Sequence, residues 1–192
     1  MLEGAHADLL DAGVAADGRA FRAMLGGRAD EARAALREAA ALYRASWEVA
    51  PPRSYGRLVA HLKSAVLAGD GAEAAAWVVG ELDGACDSPT SCYALAVAAL
   101  VRGDDPLAGR AAAGMAEGGD PFARAAAALA ALAAGDAPAY REAVSAIVRD
   151  FEGRDAHLTG VPVADTAMLM EALAAPRGLA AAPDSEMMPP PG

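Results

Sequence analysis

The stretches LAGD (Leu67 to Asp70), VRGD (Val101 to Asp104) and LAAGD (Leu132 to Asp136) each close an apolar run with a Gly-Asp turn. Their glycines stand at 69, 103 and 135, spaced by 34 and 32 residues. That period marks helix-turn-helix repeats, whose units bury their apolar faces against one another. Pro51, Pro89 and Pro121 interleave with these turns. Proline is favoured in the first turn of a helix and glycine just past its end. Each Pro-to-Gly stretch therefore reads as one helix, and the stretch back to the next proline as its return partner.

Working outward, three hairpins pair Ser54 to Ala68 with Gly71 to Gly84, Thr90 to Arg102 with Pro106 to Glu117, and Pro121 to Ala134 with Pro138 to Phe151. Asp70, Asp104 or Asp105, and Asp136 are then the N-caps of the second helices, since a short carboxylate there accepts from free amides of the first turn. A less regular hairpin precedes them, Gly18 to Leu25 followed by Arg28 to Val49. Its second helix carries Leu36, Ala39, Ala40, Tyr43 and Trp47 at amphipathic helical spacing. After Phe151 the pattern breaks into EGRDAHLTG, and a last helix over Pro162 to Ala175 is expected as a terminal cap. The chain is expected to be one all-α domain over residues 1–176, a right-handed stack of antiparallel helical hairpins. Residues 177–192, with Pro183 and the closing MMPPPG, are expected to be a flexible tail.

Composition agrees with helices at close range. The chain has 55 alanines, but only three Phe, two Trp, four Tyr and a single isoleucine, Ile147, in 192 residues. Alanine is the best helix former, and the strand-favouring residue types are few. Lys63 is the one lysine beside fifteen arginines, and Asn and Gln do not occur; this bias reads as a GC-rich bacterial genome.

The formal charge of −10 argues against nucleic-acid binding, which rests on a basic footprint. The opening MLEGAHADLLDAG holds acids and no Lys or Arg, so it is not read as a secretory signal. The longest uncharged run, Ser88 to Val101, is shorter than the about 20 residues a membrane helix needs. A cytoplasmic protein is expected, without membrane contact. Cys86 and Cys92 are read first as free, partly buried thiols, with a redox pair or a two-Cys metal site as alternatives.

These turns resemble those of the tetratricopeptide repeat family, whose 34-residue unit has a Gly-Asp turn, a small residue in its second helix and a proline at its end. The matching positions are Gly69/Asp70, Gly103/Asp104 and Gly135/Asp136, with Ala74 and Ala108 five residues after the glycine and Pro89 and Pro121 closing their units. Glu81, Met115 and Ile147 stand where the family prefers a second alanine, and Tyr140 replaces a small residue. The resemblance covers residues 18–151 and implies protein or peptide recognition. The segment ADTAMLMEALAAPRGLAAAPDSEMMP is similar, more faintly, to the late helix, Arg-Gly element and proline-ended tail of all-helical bacterial toxin-immunity proteins.

None of GxGxxG before a helix, GxxxxGK[ST], GxSxG or HExxH occurs, so no nucleotide, serine-hydrolase or zincin chemistry is indicated. His6, His61 and His157 lack ligand spacing, and no metal or cofactor is expected. His157 reads as a solvated loop histidine capping the last helix, or as a general base oriented by Asp155. The acid pairs Asp104/Asp105, Asp83/Asp87 and Asp150/Glu152/Asp155 read as capping and solvation, with a cation or a shared proton as the alternative.

Charge is organised in one place. Pro51 to Gly69 holds Arg53, Arg57, His61 and Lys63 and no acid, whereas Asp70 to Asp87 holds five acids and no base. Arg57 and His61 fall one helical turn apart, with Arg53 above and Ser64 below if the helix begins early enough. The stripe is expected either to pair with the acidic helix behind it or to grip a carboxylate or acidic peptide. Tyr55 and Tyr93 are expected in the core between hairpins, or as aromatic contacts to that ligand. The binding reading makes the chain a non-enzymatic module for a protein or peptide partner; an immunity protein is the alternative, and a small-ligand protein or enzyme without a recognisable motif the second.

Overall fold

The computed structural model describes residues 4–189, and these are all-helical, with no strand among them. The helices are α1 (Ala5–Leu25), α2 (Ala29–Glu48), α3 (Gly56–Ala68), α4 (Gly71–Leu82), α5 (Pro89–Arg102), α6 (Asp105–Met115), α7 (Asp120–Ala134), α8 (Ala137–Glu152) and α9 (Asp165–Ala174). Three-residue 3-10 turns follow α6 and α9.

The Gly-Asp turns end their helices as their chemistry demands. Gly69, Gly103 and Gly135 adopt φ of 91°, 76° and 67°, a left-handed conformation open to glycine at no steric cost. The following amides of Asp70, Asp104 and Asp136 donate back to Ala65, Ala99 and Ala131 at 2.8, 2.9 and 2.9 Å. Asp104 and Asp136 cap the next helix, accepting from the amides of Leu107 and Ala139 at 3.0 Å. Asp70 makes no cap bond; Arg37 of α2 takes its carboxylate at 2.7 Å.

Consecutive helices pack on one another from α1 to α8, and α3 also meets α5, and α5 meets α7. The last helix is not at an end of this row. α9 returns to α3, α7 and α8, fully burying Leu169 and Met170, each stabilising by about 1.5–3 kcal/mol through lost apolar surface. Its residues carry no charge from Ala167 to Met170, which suits an interior helix better than a cap.

α1 begins at Ala5 and runs unbroken through Gly13 and Gly18, well before the expected start at residue 18. The glycines mark close approach here. A Cβ on Gly13 would lie 2.7 Å from the Tyr43 ring, and one on Gly18 would lie 2.9 Å from the Thr159 carbonyl oxygen. The segment after Arg177, expected as a flexible tail, runs along the body. Ala164 donates to the Met187 carbonyl at 2.8 Å, Ser185 donates to Glu152 at 2.6 Å, and Glu171 accepts from the amides of Ala181 and Ala182. Residues 190–192 of that expected tail lie outside the described residues. The free-thiol expectation is corrected: Cys86 and Cys92 form a disulfide. The Ser88–Ser91 capping box at the start of α5 sets the first turn so that Cys92 comes back beside Cys86.

Candidate functional site

A polar centre lies where α1, α2, α3 and the start of α9 meet. Asp17 of α1 is 1% exposed. Its Oδ2 accepts from the Tyr43 hydroxyl and its Oδ1 from the Ser64 hydroxyl, both at 2.8 Å. Burial pushes the Asp17 carboxyl above its ordinary value, against the opposing pull of Lys63 and of the two hydroxyls. Lys63, on α3, pairs with Asp165 in the first turn of α9, where a helix N-terminus also favours a carboxylate. Burial works against the Lys63 charge, but Asp165 and Asp17 together outweigh it and hold the ammonium above its ordinary value. Burial, then Asp17, push the Tyr43 phenol up as well.

This centre floors a pocket of about 230 Å³ with Leu10, Val14 and Ala60 on its walls. Arg57 and Leu158 also line it, and Leu158 is 83% exposed. Arg57 Nε donates to the Ser46 hydroxyl and its Nη2 to His6 Nδ1, both at 2.8 Å. Ser46 in turn donates to the His6 carbonyl at 2.6 Å. These bonds aim the guanidinium without neutralising it, and no carboxylate pairs with it among the described residues.

Of the five expected site residues, Arg57 alone lines this pocket. Arg53 pairs with Asp87 at 2.7 Å. Tyr55 stacks on Trp47 with ring centroids 5.8 Å apart. Tyr93 packs edge-on to Phe122 of α7 and meets Thr166 of α9. His61 is buried against α2, where Nδ1 lies 2.9 Å from the Ala40 carbonyl oxygen. A carbonyl only accepts, so Nδ1 carries the proton. Burial lowers the His61 pKa, with Arg44 adding to the fall, so the ring is neutral at neutral pH and adds no charge to the stripe. Arg57 and His61 do share a face of α3, one turn apart, but it is the face turned to α2.

No protein family, characterised protein or solved structure matches this chain.

The chemistry of the centre follows from its protonation. Lys63 is held as an ammonium, a counter-ion for two carboxylates rather than a nucleophile. His157 stacks on Phe151 with centroids 6.1 Å apart, and its Nδ1 has no hydrogen-bond partner, so Asp155 does not orient it through that atom. Arg124 and Arg154 take Asp150, both at 2.5 Å. Among the described residues no three or more His, Cys, Asp or Glu stand together as a metal site, and no helix is long and apolar enough to cross a membrane. Asp17 and Asp165 carry no signal in the sequence, and Tyr43 stands out there only as part of an apolar helix face, not as a site residue. One signal was there: a chain that uses arginine fifteen times uses its one lysine, Lys63, at this junction.

Proposed function

We propose that this chain is a non-enzymatic helical-repeat module that binds a protein or peptide partner, which places a carboxylate on Arg57. The observation that carries this reading is the pairing at one pocket of a guanidinium lacking a carboxylate with the exposed Leu158. A cation and an apolar side chain together suit an acidic residue flanked by an apolar one. Arg presents two parallel donors to a carboxylate, which gives such contacts direction as well as charge. The packing of α1 to α8 in chain order, with α3 on α5 and α5 on α7, supports a right-handed tetratricopeptide-like stack as the scaffold. A cytoplasmic place of action belongs with the dithiol form of Cys86 and Cys92, and the disulfide form with oxidising surroundings.

The test is capture from a lysate of the source cells with the wild-type chain, Arg57→Ala and Leu158→Asp in parallel, after thermal melts have shown all three folded. A partner held by the wild type and lost by both variants supports the site. A partner held equally by all three removes Arg57 from the interface, and capture by none overturns the module reading.

A second reading rests on the net charge of −10: an immunity protein that neutralises a basic cognate toxin through one electrostatic interface. Loss of toxin activity on adding one equivalent of this chain would establish it, and undiminished toxin activity would remove it.

A further inference from the structure

A second pocket, about 430 Å³, opens at the other end of α1 and α2 from Arg57. Its size falls in the range of small-molecule sites. Met24 of α1, Leu36 of α2, Leu67 of α3 and Met168 of α9 form its walls, and Met188 of the C-terminal segment closes one side. Three methionines give it unbranched, polarisable walls that adapt to the shape of an apolar guest.

Two charged side chains touch this space, and their states differ. Glu171 is already satisfied, accepting from the Tyr140 hydroxyl at 2.6 Å and from the amides of Ala181 and Ala182 at 3.1 and 2.8 Å. Arg33 is half-exposed and reaches only Asp30, at 3.3 Å, whose side chain is fully in solvent. An exposed pair of that kind contributes little and exchanges readily. The pocket therefore offers an apolar interior and one cation at its edge.

We infer that this pocket binds a monocarboxylate with a linear apolar chain, a medium-chain fatty acid, with the chain among Met24, Met168 and Met188 and the carboxylate on Arg33. Glu171 already accepts from three donors whereas Arg33 is held only by an exposed pair, so the contact open to a headgroup favours an anion over a cationic amphiphile. The lining decides against a sugar or nucleotide, which would need several polar groups converging on it. This site shares no lining residue with the Arg57 pocket, so it stands or falls independently of the partner reading.

The test uses the full chain with ¹³C-methyl-labelled methionine, titrated with decanoate, decanol and decyltrimethylammonium. Decanoate is expected to move the Met24, Met168 and Met188 methyl signals together and saturably, assigned by single Met→Leu replacements. Ala29→Phe, which fills the pocket from an exposed first-turn position of α2, is expected to abolish the shifts while thermal melts show it folded. Arg33→Ala is expected to weaken decanoate about fivefold and leave decanol unchanged, the size of one exposed charge contact. Methyl signals that stay in place at saturating decanoate, equal binding to Ala29→Phe, or equal binding of decanoate and decyltrimethylammonium would each overturn the inference.

Discussion

The Tyr43 hydroxyl donates to Asp17 Oδ2 at 2.8 Å across the α1–α2 contact, and the same Tyr43 ring lies where a Cβ on Gly13 would have to be. One aromatic side chain thus fixes both the approach of two helices and the surroundings of a buried carboxyl. Removing that acceptor leaves the buried Tyr43 hydroxyl short of a partner, while Ser64 keeps the Ala60 carbonyl at 3.0 Å. Asp17→Ala is expected to cost about 1–3 kcal/mol, read as a lower midpoint in urea.

The pH dependence of this centre has a defined sign. Asp17 is raised above its ordinary value of 3.8 when folded. Its contribution to stability is fully present below that value and is lost as pH rises through the folded value. Asp17→Asn, uncharged at every pH, is therefore expected to melt above the wild type at pH 7, with the gap narrowing as pH falls towards 3.8. The Asn amide can donate to Ser64, whose hydroxyl already reaches the Ala60 carbonyl at 3.0 Å. Melting curves from pH 7 to pH 4 check this, and a gap that widens on acidification would contradict it.

Lys63→Met leaves the Asp165 carboxylate largely buried without its cation. Losing one partner of such a pair costs about 3–5 kcal/mol, a fall in melting temperature on the order of 10 °C for a chain of this size. Adding Asp165→Asn is expected to restore part of the loss. A double-mutant cycle measures the coupling, and strictly additive losses would show that the pair is not an energetic unit.

Two glycine replacements inside helices are expected to move stability in opposite directions. Gly13→Ala gains helix propensity but drives a methyl into the Tyr43 ring 2.7 Å away, a clash that costs about 1–3 kcal/mol. Gly80→Ala in α4 meets nothing within 4 Å and is expected to stabilise by about 1 kcal/mol. Paired urea melts of the two variants check the contrast.

Reducing the Cys86–Cys92 bond, whose ends are 6 residues apart, is expected to cost about 2.4 kcal/mol on the chain-entropy account, or roughly 5–10 °C in melting temperature. Melts with and without reductant, alongside Cys86→Ser/Cys92→Ser, check it; the double variant should melt like the reduced chain and ignore reductant.

Most helix limits were legible because local chemistry sets them. The expected ends at Ala68, Arg102 and Ala134 agree with the structure, since a left-handed residue followed by a capping aspartate is written in two adjacent positions. Asp70 shows the limit of that reasoning: its carboxylate, free to cap α4, is taken by Arg37 from a different hairpin. The same limit explains α1. Gly13 and Gly18 look like breaks to a local reading, yet both lie within one helix because Tyr43 and Thr159 need the space.

The sequence by itself determined that this protein is helical, and where most of its helices stop, because helix propensity, proline and glycine act over a few residues. Tertiary structure alone decided that α9 packs against α3, α7 and α8, that Cys86 and Cys92 bond, and that Lys63 pairs with Asp165 within the field of Asp17. It also divided the expected basic stripe, leaving Arg53 ahead of α3 and paired with Asp87, turning His61 onto a carbonyl and leaving Arg57 at a pocket. Those outcomes depend on which surfaces compete for each polar group, and the competing groups lie up to 102 residues apart along the chain.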